Sequence, residues 1–257
     1  MSTDLRSIQL THQNIGQEHV CCAIGDDKVN QQRAAVKKSW IEEQLQYGYV
    51  FKKIDVRGKV FIDYVPAEYA WSPVMAPGYA YIQCFWASGR YQGQGLGARL
   101  LAECEKDNQD KNGLIVVSSP KKLPFLADRK YLEKKGFTVS DTTRHGFLLM
   151  VKKFRADAPD PRFTDAARLG SLPGKSGLTF FYSDICPFVP DYVDIMIGAA
   201  DKRGIPSEKI RLKTYADAQK LAAPFGIACV FLDGEFLTQE IMTESKFEKL
   251  LDKTLAR

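Results

Sequence analysis

Nowhere in the 257 residues is there an apolar run of the roughly 18 positions that a membrane-crossing helix needs. The opening stretch, MSTDLRSIQLTHQNIG, lacks the apolar centre of a secretory signal. A soluble, cytoplasmic protein with no membrane partner is expected. Cysteine is sparse and scattered, at positions 21, 22, 84, 104, 186 and 229, with no Cys-x-x-Cys pair. That excludes a disulfide framework and a paired-cysteine zinc site, so reduced thiols and no metal are expected. A large excess of one charge is also missing. The net charge of +5 comes from short pairs such as Lys121-Lys122, Lys134-Lys135 and Lys152-Lys153 interleaved with acids, which argues against a nucleic-acid partner. No internal repeat is present. With 45% hydrophobic and 26% charged residues, the chain has enough apolar material for one large or two modest domains.

The stretch around which the rest is arranged is Phe85 to Gly97, FWASGRYQGQGLG, followed by ARLLAECEKD. A strand-forming aromatic run passes through a glycine-rich turn into an amphipathic helix, the layout of a site that holds a phosphate on main-chain N–H groups. Gly93, Gly95 and Gly97 are spaced one residue too tightly for the dinucleotide fingerprint, and no Lys-Ser or Lys-Thr follows them as a P-loop requires. Gln92, Gly95 and Gly97 do satisfy Gln/Arg-x-x-Gly-x-Gly/Ala. That pattern, with the unbroken run Tyr91-Gln92-Gly93-Gln94-Gly95-Leu96-Gly97, resembles the acyl-CoA signature of the GNAT superfamily of N-acetyltransferases, although Gly89 stands where proline is common and Gln92 where arginine is common.

Taken in order, SIQLTHQNI reads as a first strand and its exit, and residues 29–47 as an amphipathic helix with Ala34, Val36, Trp40, Ile41 and Leu45 on one broad face. YVFKKIDV and KVFIDYVPAEYAW form a hairpin turning at Arg57-Gly58, WSPVMAPG is a loop, and GYAYIQCFWA is the strand that enters the glycine turn. LIVVSS is a buried strand, FLADRKYLEKK a helix with Pro124 in its first turn, and FTVSD with GFLLMVKKF a final hairpin. Residues 155–177 concentrate Pro, Gly, Asp and Ala without periodicity, as a linker does; their G-S-L-P-G-K-S imitates a P-loop but is one residue short and lacks a preceding strand. Residues 178–257 restart as strand, helix, strand, helix, a hairpin turning at Asp233-Gly234, and a closing helix, which is thioredoxin-like order. Cys186-Pro187 follows the first strand of that unit.

EHVCCAI, FKKIDVRGKVFIDYVPAE, APGY, CFWASGRYQGQGLG, KKGF and FYSDICPF together resemble the YoaP-type acetyltransferases. The resemblance implies an α/β (α+β) chain: a GNAT acyl-CoA fold with a mixed sheet over residues 1–154, a linker over 155–177, and a small thioredoxin-like domain over 178–257. It implies acetyl-CoA as acyl donor and a small-molecule or peptide amine as acceptor. The strand edge at Phe85, Trp86 and Ala87 then pairs with the pantetheine arm, and N–H groups from Gln92, Gly93, Gln94, Gly95, Leu96, Gly97 and Ala98 hold the pyrophosphate. Tyr131 is the candidate acid for the leaving thiol, although it stands one residue before the usual place relative to Gly136-Phe137, and a packed helix tyrosine is the competing reading. Glu68 is the first candidate base and Asp63 the second, with a water chain still open.

The remaining polar candidates have structural readings of at least equal weight. His12, His19 and His145 suit structural roles, and Cys21-Cys22 suit small buried hydrophobes. Trp71, Tyr79 and Tyr81 fit either the core or an apolar acceptor groove. A reactive Cys186, with a reversible link to Cys229, defines an alternative in which the C-terminal half is a thiol-redox or partner-binding module and the first half binds acyl-CoA only. Val189 in place of a second redox cysteine, and Ala228 where such folds carry proline, weigh against it.

Overall fold

A computed structural model describes residues 5–20 and 23–256, so Cys21-Cys22 lie outside it. The chain divides into two compact units, one running to Ala70 and resuming over Val74–Phe163, the other made of Trp71–Pro73 and the chain from Thr164 onward.

The first unit contains β1 (Ser7–Gln9), α1 (Lys28–Leu45), β2 (Val50–Ile54), β3 (Val60–Pro66), β4 (Val74–Met75), β5 (Tyr79–Ala87), α2 (Leu96–Asp107), β6 (Gly113–Ser119), β7 (Ala127–Asp128), α3 (Arg129–Lys134), β8 (Thr138–Thr142), β9 (Leu148–Lys153) and β10 (Arg162–Phe163). Its main sheet runs β1-β2-β3-β5-β6-β9-β8, with β7 also on β6. The pairs are antiparallel except β5 with β6 and β6 with β7. The sheet is therefore mixed, as expected.

Strand alternation sorts side chains onto two faces. Ile54, Val60, Ile62, Tyr64, Ala80, Ile82, Leu114 and Val116 share a core with Leu100, Leu101 and Cys104 of α2. Each such aliphatic side chain contributes about 1.5–3 kcal/mol on burial, so this seam anchors α2 firmly. On the other face, Phe51 stacks on Phe61 at 5.2 Å, and α1 reaches the sheet through Trp40, edge-on to Tyr49 at 5.1 Å. The buried stripe of α1 is Lys37, Trp40, Ile41 and Gln44, while Val36 is exposed, so the apolar face read from the sequence is rotated. Lys37 takes the place expected of Val36 because its ammonium lies over the Trp40 ring, 4.1 Å from the centroid.

Two further elements differ from the sequence reading. The helix expected from Pro124 starts only at Arg129; Phe125 adopts φ 65° and β7 takes the intervening residues. WSPVMAPG is not wholly a loop, since β4 pairs with β10. The stretch read as a bare linker thus carries β10 and, in the second unit, α4 (Asp165–Leu169), capped by the Thr164 side chain.

The second unit continues with β11 (Leu178–Tyr182), α5 (Val189–Asp201), β12 (Ser207–Arg211), α6 (Tyr215–Ala218), β13 (Ala228–Leu232), β14 (Glu235–Thr238) and α7 (Glu244–Leu255). Its sheet order is β12-β11-β13-β14, with β11 and β12 parallel and the other pairs antiparallel. Phe180, Val193, Met196, Val230, Phe247 and Leu251 form the core between this sheet and α5 and α7. Asp233 and Gly234 both have positive φ, the requirement of a tight two-residue hairpin.

Candidate active site

The site begins where two neighbouring strands part. β5 pairs with β3 along its whole length, to Val60↔Ala87, but its pairing with β6 stops at Ile82↔Val116. Farther along, β6 takes β7 as its neighbour through Ser118↔Ala127. Among the described residues, the edge of β5 that faced β6 therefore has no strand on it from Gln83 to Ala87, the form of edge on which an extended ligand can pair. A register shift between Asp63 and Tyr64 marks the same point. Asp63 pairs with Cys84 and Tyr64 with Ile82, so Gln83 is the extra residue of a bulge that bends β5 away from β6.

The open edge leads into the glycine turn. Tyr91 N–H donates to Ser88 and Gln92 N–H to Gly89, whereas the N–H groups from Gly93 through Ala98 have no backbone acceptor among the described residues. Gln92 is thus removed from the expected donor set, and its side chain instead ties the turn to the Ala87 carbonyl at 3.1 Å. Gln94 closes the loop on the Arg90 carbonyl at 2.6 Å. Gly95 caps α2 in the left-handed region at φ 78° and has no side chain with which to compete for the helix amides. Nothing stands within 4 Å of where a Cβ would sit on Gly93 or Gly95. The result is an open, N–H-lined concavity at the positive end of a twelve-residue helix, suited to a phosphate group.

Phe85, Trp86 and Ala87 are separated by the pleat. Phe85 turns to the α2 face, where its ring lies 5.8 Å from that of Tyr131. Trp86 pairs with Phe61 on the α1 face and is 39% exposed. Asp128 caps α3 by accepting from Tyr131 N–H at 2.9 Å, and this sets the tyrosine in the first turn. Its hydroxyl reaches the start of α2, 3.7 Å from where a Cβ on Gly97 would be. That hydroxyl is buried and has no hydrogen-bond partner among the described residues. Burial, and secondarily Glu105, push its pKa up, so it keeps its proton.

On the α1 face, opposite the bulge, Asp63 is fully buried. Burial pushes its carboxyl up to about 6, against the pull of Lys37, the Tyr49 hydroxyl and the Cys84 amide. Both polar atoms of the Gln83 side chain are buried and have no hydrogen-bond partner among the described residues. Lys37, buried above them on α1, lies 3.5 Å from the Tyr49 hydroxyl. Glu68 is elsewhere. It accepts from Gly78 N–H at 2.7 Å, at the start of β5, while the open edge is at the strand's other end. The carboxylate first expected as base is a turn ligand, because the short helical turn at Ala67–Tyr69 carries it off the β3 pleat.

Sequence reasoning missed Gln83 and Lys37. The signal for Lys37 was present, since Lys37, Trp40, Ile41 and Gln44 repeat at i, i+3, i+4 and i+7. Gln83 gave none, because a bulge depends on the partner strand. Trp71, Tyr79 and Tyr81 are core residues rather than groove lining. His19 lines a cleft of about 340 Å³ with Glu18, Lys53, Asp55 and Arg57. Its Nδ1 accepts from Lys53 at 2.8 Å, Lys53 also pairs with Glu18 at 2.6 Å, and burial with Lys53 lowers the histidine's pKa. That leaves a neutral imidazole already engaged. In the second unit Cys186 packs on the side of Ala228 and Val230, whereas Cys229 alternates to the other face of β13 and burial raises its pKa strongly. The Cys186–Cys229 link has no geometric support.

Residues 19–137 match the model of the acetyltransferase (GNAT) family, and residues 206–249 match the YoaP-like model. YoaP of Bacillus subtilis (strain 168), described as an uncharacterized N-acetyltransferase, is 38% identical over 251 residues, covering 97% of this chain and 99% of that protein. The chain belongs to the YoaP family of GNAT acetyltransferases. Among solved structures, a PaiA N-acetyltransferase from Thermoplasma acidophilum in complex with coenzyme A is similar at 15% identity and TM-score 0.40, covering 58% of this chain and 98% of that one. A GNAT acetyltransferase from Brucella melitensis in complex with acetyl-CoA is similar at 14% identity and TM-score 0.37, covering 63% and 96%. The GNAT match of this YoaP-family chain spans α1 to the end of α3 and so contains the parted strands, the cradle and Tyr131.

Proposed function

We propose that the protein transfers an acetyl group from acetyl-CoA to a primary amine of a small molecule or peptide by direct attack, without an acyl-enzyme stage. One observation carries this reading. Among the described residues, a strand edge without a neighbour runs into an N–H-lined helix start, with a hydroxyl that has no hydrogen-bond partner on one face of the strand and a buried carboxylate on the other. Bound acetyl-CoA supplies an activated thioester carbonyl. The chain's own groups do the rest. N–H groups from Gly93 through Ala98 hold the pyrophosphate, and the backbone from Gln83 to Ala87 fixes the extended arm. Asp63, rather than Glu68, takes a proton from the incoming ammonium, which leaves a lone pair for attack. As the C–N bond forms and the C–S bond breaks, Tyr131 gives its hydroxyl proton to the departing sulfur and regains one from the new amide nitrogen. Two protons leave the ammonium in all, one ending on sulfur and one passing through Asp63 to solvent.

We further assign residues 1–154 to the GNAT domain, 155–177 to the connection and 178–257 to a thioredoxin-like domain in a cytoplasmic protein. The order strand, helix, strand, helix, hairpin, helix and the sheet order β12-β11-β13-β14 support the thioredoxin-like assignment. Without a second redox cysteine, its use is packing or partner recognition.

Thiol release from acetyl-CoA in the presence of amines tests the central claim. Tyr131→Phe is expected to lower kcat about 10²-fold, with the acetyl-CoA-induced rise in melting temperature retained. Full turnover in that variant removes Tyr131 from the mechanism.

A further inference from the structure

The acetyltransferase reading leaves the acceptor open, and the unmet polar atoms at the bulge narrow it. Asp63 and the bulge residue Gln83 occupy one register position of the β3–β5 pair. Gln83 buries an amide oxygen and an amide nitrogen with no hydrogen-bond partner among the described residues, beside an Asp63 carboxylate approached by Lys37, the Tyr49 hydroxyl and the Cys84 amide. A buried polar group left unpaired costs free energy, so a grouping of this kind is complementary to something that enters. The partners it requires follow from donor and acceptor chemistry. Asp63 and the Gln83 oxygen accept, and the three N–H bonds of an ammonium satisfy them. The Gln83 NH₂ donates, and no alkyl ammonium offers it an acceptor. Exchanging the two ends of the amide does not alter this count.

We propose that Asp63 and Gln83 form the acceptor subsite and select an α-amino carbonyl, the N-terminal amine of a peptide or an amino acid amide, over an isolated alkyl amine. The amine binds Asp63 and the Gln83 oxygen, and the adjacent carbonyl oxygen accepts from the Gln83 NH₂. Gln83 is a positioning and specificity residue; the proton passes to Asp63. The exposed Trp86, one residue pair along the same face, gives the body of the acceptor an apolar surface on the way in. Lys37 stays on the α1 side, its charge turned to Asp63 and to the faces of Trp40 and Tyr49. It is a fixed countercharge to Asp63.

This inference rests on the acetyltransferase reading, and matched probes keep the two separable. L-phenylalaninamide and 2-phenylethylamine share an aromatic body and differ by the carboxamide; Nα-acetyl-lysine methylamide presents a side-chain amine. In the full-length protein, kcat/KM for phenylalaninamide is expected to exceed that for each of the other two about tenfold, the worth of one buried hydrogen bond with its unpaired alternative. Gln83→Leu is expected to bring the first two within about twofold, and Gln83→Glu, which keeps an acceptor and loses the donor, to do the same. Melting with CoA present supplies a readout independent of turnover: phenylalaninamide raises the melting temperature more than phenylethylamine in the wild type, and the difference vanishes in both variants. Equal rates in the wild type, a preference for the lysine side chain, or a gap that survives both substitutions overturns the inference. Thiol release with none of the amines sinks the acetyltransferase reading, and the melting comparison then decides for or against the subsite alone.

Discussion

The two sites proposed at the ends of the open edge of β5 are built of different material. At the glycine turn the donors are main-chain N–H groups, and the side chains that matter are those that are absent. At the bulge the backbone only sets direction, and the proposed recognition falls to the buried side chains of Asp63 and Gln83. The first arrangement tolerates sequence change wherever φ and space are kept. The second is intolerant, because each buried polar atom depends on a specific complement. A cofactor common to many reactions suits the former, and an acceptor particular to one suits the latter.

The comparison predicts its largest effect at the bulge. Asp63→Asn should lower kcat about 10³-fold with every amine, while acetyl-CoA still raises the melting temperature as in the wild type. The pH dependence makes this specific. Wild-type kcat/KM for the acceptor should rise through about 6 as Asp63 ionises, and the variant should lack that limb. Stability should move the other way. Because burial raises the folded carboxyl above its unfolded value of 3.8, the folded state binds the proton more tightly, and wild-type stability falls as pH rises from near 4 to 6. The full penalty, about 3 kcal/mol at most, is in place above pH 6. Asn carries no charge, so the variant should melt above the wild type at pH 8, with the gap closing near pH 4. Melting curves across that range check the sign, and a variant less stable at pH 8 than at pH 4 relative to wild type contradicts it.

A smaller effect is expected at the other end. Gly95→Glu forces a side chain into φ 78° and places a negative charge among the N–H groups meant for a phosphate. Acetyl-CoA at about 100 times its wild-type dissociation constant should add about 2.7 kcal/mol to the wild-type domain and almost nothing to the variant. If the variant keeps the full rise in melting temperature, the cradle is not where acetyl-CoA binds.

The same division explains what could be read from the sequence. The cradle was legible because glycine spacing, a preceding strand and a following helix are local, and the one donor misjudged, Gln92, was lost to a turn bond with Gly89. Most of the order of strands and helices along the chain was legible because alternation and turn residues are local too. The acceptor side was not. Glu68 and Asp63 are both carboxylates on or beside one strand, and only the Ala67–Tyr69 turn and the bulge opposite Asp63 decide which of them lies beside Gln83. Gln83 looked like an ordinary strand residue, and Lys37 like a solvated charge, until the partner elements were in place. The helix at Pro124 was misread because Phe125 takes a backbone conformation that sequence pattern gives no reason to expect.

The smallest predicted effect tests whether Lys37 acts only as a countercharge. Its side chain is fully buried, and its ammonium reaches the Trp40 ring and the Tyr49 hydroxyl without a hydrogen bond to Asp63. Met fills similar volume and keeps contact with the Trp40 ring, so Lys37→Met should fold. Without the cation, only the Tyr49 hydroxyl and the Cys84 amide oppose the burial that raises the Asp63 carboxyl, and the acidic limb of kcat/KM should move upward from about 6. The plateau rate at high pH and the acetyl-CoA melting shift should both be kept, because the proton acceptor and the cradle are intact. A limb that moves downward would mean that Lys37 does not face the Asp63 carboxylate at all. A lost plateau with an unmoved limb would give Lys37 a direct place at the reacting amine, and the acceptor face would then hold three recognition side chains.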